Sequence, residues 1–158
     1  MRVGIGYDAH KLASGRPLIL GGIEISKENG LEGHSDGDVL IHSIIDALLG
    51  AAALGDIGQH FPSDDPALAG IKSTVMLTKV QKLLDLKGWR ALNIDATIVA
   101  EKPRLTPYIC LMRKEIGALL AIESQRVSVK ATTTDGLGFT GNLSGVTCHS
   151  VALIESKT

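Results

Sequence analysis

Three side chains of the kind that ligate transition metals stand near the start of this chain. Asp8 and His10 lie within Gly6-Tyr7-Asp8-Ala9-His10, and His42 follows Gly33-His34-Ser35-Asp36-Gly37-Asp38. Residues two apart in a strand project from the same face, so Asp8 and His10 can aim at one point. A helix begun near Asp38 would supply the third group. One carboxylate oxygen and two imidazole nitrogens leave one tetrahedral position open around zinc, the pattern of a catalytic and not a structural site.

The segment after Asp38 is apolar at nearly every position except Asp38, His42, Asp46 and Gly50, which recur every fourth residue and form one stripe on a helix. Ionisable groups on a buried helix are costly unless paired or metal-bound. A plain reading makes Asp38 an N-cap and lets Asp46 satisfy His42 in the core. The neighbouring Asp8 and His10, which also need a partner, favour the metal.

Phosphate chemistry is suggested in two places. His34 to Asp38 precede a helix N-terminus, where free N–H groups and the dipole favour an anion, although the same residues suit a capped turn. Lys130-Ala131-Thr132-Thr133-Thr134-Asp135-Gly136-Leu137-Gly138-Phe139-Thr140-Gly141 runs from a strand into a glycine-rich loop whose hydroxyls and N–H groups could approach phosphates. It is not a P-loop, and it also reads as a β-branched strand followed by a flexible turn. Asp135 could ligate a hard cation such as magnesium or manganese. Asp56-Ile57-Gly58 and Phe61-Pro62-Ser63-Asp64-Asp65 add groups able to bind a polyol.

The elements that must position these residues follow from pattern. Arg2 to Tyr7 reads as a strand, Pro17 to Ile25 as a hairpin about Gly21-Gly22, and Lys27 to Gly37 as a loop. Asp36 or Asp38 caps a helix running to about Leu54 and ended by Gly55. Gly58 to Gly70 has loop chemistry with one short helical turn. Lys72 to Leu86 is an amphipathic helix, Ala91 to Ala100 a strand and Tyr108 to about Ala121 a helix opened by Pro107. Val127 to Thr134 and Val146 to Glu155 are further strands. The expectation is one domain over 1–158 of α/β (α+β) type. It is a ferredoxin-like sandwich, with helices on one face of a mixed or antiparallel sheet and a β-hairpin beside it.

Composition narrows the classes. The chain has 158 residues, 44% of them hydrophobic, and 16 Lys and Arg balance 17 Asp and Glu with no basic run, so a nucleic-acid partner is not expected. Aromatic residues make up only 3%, too few for base stacking, and leave packing to Leu, Ile, Val and Ala. Cys110 and Cys148 form no CxxC pair and read as free, buried thiols. The apolar run Val39 to Leu54 is too short and too interrupted to span a membrane, which takes about 20 residues. With neither a signal-peptide h-region nor an Arg-rich transit segment, a cytoplasmic protein is expected.

Gly6-Tyr7-Asp8-Ala9-His10, Leu20-Gly21-Gly22, His34 to Asp38, Asp46 to Gly58 and Lys130 to Gly141 together closely resemble the 2-C-methyl-D-erythritol 2,4-cyclodiphosphate synthase family of non-mevalonate isoprenoid synthesis. Their order and spacing match along essentially the whole chain. The resemblance implies a homotrimer whose active sites lie between subunits, with zinc from one subunit and a cytidine pocket from its neighbour. It implies a cytidine diphosphate substrate, 4-diphosphocytidyl-2-C-methyl-D-erythritol 2-phosphate, converted to the cyclic diphosphate with release of CMP. By the same resemblance Asp8, His10 and His42 hold zinc and Asp135 a second cation, magnesium or manganese. His34 and Thr133 are the catalytic stabilisers, with Ser35 beside them at the phosphates and with Ala9 also in contact with substrate. Asp56, Ile57, Gly58, Phe61, Pro62, Ser63, Asp64 and Asp65 hold the methylerythritol. Ala100, Pro103, Arg104, Leu105 and Thr106, with Thr132, Thr133, Thr134 and Asp135, hold the cytidine diphosphate, and Phe139 lines a central cavity.

The chain departs from the family pattern at three positions. Asp135 stands where Glu is usual, Asn142 replaces an Arg that binds a prenyl diphosphate in the central cavity, and His149 replaces an acidic residue. Two rivals use the same residues: a nucleotide-sensing module without turnover, and a zinc phosphohydrolase that delivers water to phosphorus.

Overall fold

The computed structural model describes residues 1–157; the expected domain limit at Thr158 lies outside the described residues. In chain order the strands and helices are β1 (Arg2–Ser14), β2 (Leu18–Leu20), β3 (Ile23–Ser26), β4 (Asn29–Leu31), α1 (Val39–Ala52), α2 (Ile57–His60), α3 (Ser73–Leu86), β5 (Trp89–Val99), α4 (Ile109–Leu120), β6 (Val127–Thr132), α5 (Gly138–Gly141) and β7 (Gly145–Ser156). The main sheet has the order β4-β1-β7-β5-β6, and β2 and β3 form a separate hairpin. β7 runs antiparallel to both β1 and β5, while β5 and β6 are parallel, so the sheet is mixed as expected.

The core lies between the sheet and a layer of helices. α1 is buried along almost its whole length, and the helix-facing residues Ala91, Ile94, Ala96 and Ile98 of β5 and Cys148, Ala152 and Ile154 of β7 are fully buried. The other sheet face is open: Val3 is 68% exposed, Ile5 73%, Tyr7 50% and Val151 41%. This one-sided layering is the expected sandwich.

Two glycines set the close contact between β1 and α1. A Cβ on Gly4 would lie 2.1 Å from the Ala47 carbonyl oxygen, and one on Gly6 only 1.9 Å from that of Ser43. Only glycine lets α1 rest on the backbone of β1 in this way. Asp8 and His10 continue the same face of the strand, and so arrive beside His42.

Several boundaries differ from the sequence reading. β1 runs to Ser14, seven residues past Tyr7, because its far end pairs with β4, which lies inside the segment expected to be a loop. Glycine hides this strand: Gly30 is buried, and a Cβ there would sit 2.1 Å from the Pro17 carbonyl oxygen. α1 ends at Ala52 and not at Leu54, with Ala53 in the left-handed region at φ 57° as its C-cap. The segment 58–70 contains the end of α2 and a 3-10 turn at Pro66–Leu68, and the glycine-rich loop after β6 contains the one-turn α5.

Candidate metal centre and cavity

Asp8 Oδ2, His10 Nε2 and His42 Nδ1 converge on one point. The separations are 2.8 Å from Asp8 to His10, 3.0 Å from Asp8 to His42 and 3.1 Å between the two imidazole nitrogens. A triangle of this size has all three atoms within reach of a single ion at about 2.0–2.1 Å. Burial pushes the Asp8 carboxyl up, but the hydrogen bonds and charges of His10 and His42 outweigh it and hold Asp8 well below the ordinary carboxylate range. For His10, burial lowers the value. The hydrogen bond and charge of Asp8, with the Glu32 carbonyl, prevail and raise it above 6.5. Both shifts record one fact: a carboxylate faces two rings and favours a cation between them.

The donor set suits a metal. His10 Nδ1 is bonded to the Glu32 carbonyl oxygen, which can only accept, so that nitrogen carries the proton and Nε2 presents its lone pair. His42 Nε2 lies 3.1 Å from Ser35 Oγ and 2.9 Å from Ser73 Oγ, leaving Nδ1 toward Asp8. Among the described residues this is the group of three that could hold a metal ion.

The triad opens onto a cavity of about 240 Å³ that His34, Ser35, Ile57, Gly58, Phe61 and Ser63 also line, together with Leu68, Ile71 and Met76. His34 Nε2 contacts the Asp65 carbonyl oxygen at 3.1 Å, tying the 33–35 segment to the loop after α2. Asp56 caps α2 by accepting from the Gln59 N–H at 3.0 Å. Pro62 and Asp65 instead line a neighbouring hollow that shares Phe61 and Leu68 with the cavity, and Asp64 is exposed. Ala9 pairs with Thr147 and lies on the strand face opposite to Asp8 and His10, away from the cavity.

The stripe on α1 divides its work. Asp38 is completely buried and accepts from Ile41 N at 3.0 Å, Gly21 N at 2.9 Å and Gly22 N at 2.7 Å. Burial, with repulsion from Asp36, pushes its carboxyl up to about 6 against those three donors. The α1 N-terminus is thus capped by Asp38, while His34 and Ser35 of the same turn line the cavity. Asp46 does not satisfy His42; it accepts from Ile57 N at 2.7 Å and fixes the start of α2.

The second group of expected site residues lies elsewhere in the chain. Asp8 pairs with Cys148, Cys148 with Ile98, and Ile98 with Ala131, so three strand spacings of about 4.8 Å, roughly 14 Å, separate Asp8 from β6. Thr132 and Thr133 follow at the end of β6, with Ala100 beside them donating to the Thr132 carbonyl oxygen at 3.0 Å. Thr133 Oγ1 donates to Asp135 at 3.1 Å, and Glu101 accepts from Thr134 N at 2.8 Å. Pro103, Arg104 and Thr106 are exposed and Leu105 is buried. None of these residues lines the triad cavity.

The model of the YgbB family matches residues 1–155 of the chain. The chain belongs to this family. A relative from Syntrophomonas wolfei named 2-C-methyl-D-erythritol 2,4-cyclodiphosphate synthase is 59% identical over 155 residues, covering 98% of this chain and 99% of its own length. Among solved structures, the bifunctional IspDF of Campylobacter jejuni superposes with a TM-score of 0.95 at 38% identity, over 98% of this chain and 42% of that one. The CDP complex of IspF from Plasmodium falciparum gives 0.86 at 32% identity, over 99% and 97%.

Two further features of this YgbB-family chain bear on the site. Phe139, with Tyr7, Val99, Leu137 and His149, lines a shallow hollow on the open sheet face, where the Tyr7 and His149 rings lie 4.9 Å apart. Arg16, which sequence reasoning passed over, donates to the Gly33 and Ser35 carbonyl oxygens at 3.2 and 3.0 Å and so holds the cavity wall. Its partners are 17 and 19 residues away, and no local pattern signals them.

Proposed function

We propose that the protein is a 2-C-methyl-D-erythritol 2,4-cyclodiphosphate synthase, a phosphorus–oxygen lyase. The observation that carries the reading is the Asp8–His10–His42 triad, open on one side to a cavity with His34 and Ser35 at its wall, in a chain whose full-length relatives bear that name. The substrate is 4-diphosphocytidyl-2-C-methyl-D-erythritol 2-phosphate. An oxygen of its 2-phosphate forms a bond to the β-phosphorus, the bond from that phosphorus to the bridging oxygen breaks, and CMP leaves with the electron pair. No water is consumed.

Zinc on the triad, with magnesium or manganese at Asp135, supplies Lewis acidity and charge neutralisation to the diphosphate when bound. Both phosphate arms belong to one substrate, so the attack is intramolecular, and Asp8, His10 and His42 would hold the ion that orients one arm for it. Ser35 Oγ accepts from Gly37 N at 3.3 Å and keeps its own proton for a phosphate oxygen. His34 and Thr133 stabilise the charge that builds on the phosphate oxygens, the Thr133 hydroxyl turning from Asp135 to donate there. Ile57, Gly58, Phe61 and Ser63, with Asp56, Pro62, Asp64 and Asp65 around them, hold the methylerythritol. The segment Ala100 to Thr106 and residues Thr132 to Asp135 take the cytidine diphosphate, the nucleotide named in the Plasmodium falciparum complex.

The working form is a homotrimer in the cytoplasm. Two observations support the assembly: the apolar residues Val3, Ile5, Tyr7 and Val151 exposed on one sheet face, and the separation of the two halves of the site within one chain. Among the described residues no helix is long and apolar enough to cross a membrane, and both cysteines are free, Cys148 buried as expected and Cys110 exposed against expectation. The test is incubation of the purified protein with the diphosphocytidyl substrate, zinc and magnesium, with products identified by phosphorus NMR. Cyclic diphosphate and CMP support the synthase. CMP with an acyclic methylerythritol bisphosphate supports the hydrolase, and retained binding without product the sensor.

A further inference from the structure

A metal-binding imidazole must be neutral with its lone pair on the nitrogen that faces the ion, and a second contact usually fixes which nitrogen that is. At His42 two hydroxyls compete for Nε2, and a hydroxyl can donate or accept, so the contact alone does not fix the proton. The structure resolves the ambiguity one residue further out. Ser73 Oγ donates to Asp36 Oδ1, and its single proton is committed there. Toward His42, 2.9 Å away, it offers only a lone pair, so His42 must carry its proton on Nε2 and present the lone pair of Nδ1 to Asp8 and His10.

Asp36 is well held for this task. Its Oδ2 accepts from Ser73 N at 2.9 Å, its Oδ1 from Asp38 N at 3.3 Å, and its own N–H donates to the Ile71 carbonyl oxygen at 3.3 Å. A carboxylate is also favoured at the first turn of α3 by the helix dipole. Ser73 is fully buried and sealed from the cavity, whereas Ser35 lines it. The two serines on one nitrogen therefore differ: one faces the ligand, and the other has no open side.

We infer that Ser73, backed by the Asp36 carboxylate, is a positioning residue that holds His42 in the tautomer able to ligate the metal. This rests on the zinc reading above. It is tested with zinc alone, by competition against a chromophoric chelator, in the unsubstituted protein, Ser73→Ala and Ser73→Thr. Solvent exchange of the His42 Nε2–H proton is measured in the zinc-loaded forms and thermal unfolding in the zinc-free forms. Ser73→Ala should weaken zinc binding about 10–100-fold and expose the Nε2–H proton to exchange, with little change in the zinc-free midpoint, while Ser73→Thr restores both. If Ser73→Thr does not fold, the exchange measurement in Ser73→Ala decides. Zinc affinity within twofold of the unsubstituted protein, or weakened affinity with the Nε2–H proton still protected, overturns the inference. An unsubstituted protein that binds no zinc overturns the zinc reading and this one together.

Discussion

Replacing Gly6 with alanine should damage the metal centre although Gly6 touches no metal. The new Cβ would stand 1.9 Å from the Ser43 carbonyl oxygen and 2.7 Å from the Ala47 nitrogen, where ordinary contact begins at 3.4 Å. Both neighbours are backbone of α1, so no side chain can swing aside, and helix and strand must separate by about 1.5 Å, the shortfall 3.4 − 1.9. Overpacking of this kind costs up to about 3 kcal/mol or more. In a domain of this size that lowers the thermal midpoint by about 6–12 °C. The same displacement carries His42 away from Asp8 by several times the tolerance of about 0.2 Å on metal–ligand distances. Zinc content and the unfolding midpoint should therefore fall together. Gly50→Ala is the control: its Cβ would meet nothing nearer than the Ile5 carbonyl oxygen at 3.9 Å, and alanine inside a helix is favoured by about 1 kcal/mol. A Gly6→Ala protein with an unchanged midpoint and full zinc would show that the close approach of α1 to β1 does not set the site.

Alanine at His34 or Thr133 should lower turnover about 10²–10³-fold while zinc content stays normal, since neither is a ligand; loss of zinc would show the roles are misassigned. Mixing His42→Ala with a Thr132→Ala, Thr133→Ala double variant should regenerate activity after subunit exchange, and hybrids shown by mass to have formed yet still inactive would contradict shared sites. In the zinc-free protein His10 has a raised value, so the stability it contributes is fully present below 6.5 and is lost as pH rises through the folded value. The zinc-free midpoint should then rise on acidification from about pH 8 to about pH 6, zinc binding should weaken over the same window, and His10→Asn should abolish the first effect.

The triad was legible because strand alternation and a four-residue helical stripe both act over short range. The sheet layers and the hairpin followed from the same periodicities. What hid was pairing across distance. β4 contains Asn29 and Gly30, poor strand formers that β1 recruits because Gly30 permits contact with Pro17. The cavity wall formed by Leu68, Ile71 and Met76 reads as ordinary core, and Ser73 reads as an ordinary helix start. Asp38 was visible as a cap, but its second task, holding the Gly21-Gly22 turn, depends on a contact 16 to 17 residues back. The sequence resemblance reached Thr133 and Asp135, which no periodicity connects to the triad.

That last gap has a geometric meaning. Thr133 lies beyond the end of β6, and β6 is separated from β1 by β7 and β5, so a side chain of two heavy atoms past Cβ cannot cross about 14 Å of sheet to reach Asp8. Nor can the sheet fold to bring them together, since β5 and β7 pair continuously from Trp89 to Val99 with one irregularity near Ala91. If both halves act on one diphosphate, the second half must come from another copy of the chain. The exposed Val3, Ile5, Tyr7 and Val151 give such a copy an apolar surface to bury. Charge at the centre of that surface, for instance Ile5→Lys, should then abolish assembly and turnover together while leaving the triad of each chain able to bind zinc. A monomeric Ile5→Lys protein with full turnover would refute the shared site, because every residue the reaction needs would have to act within one chain.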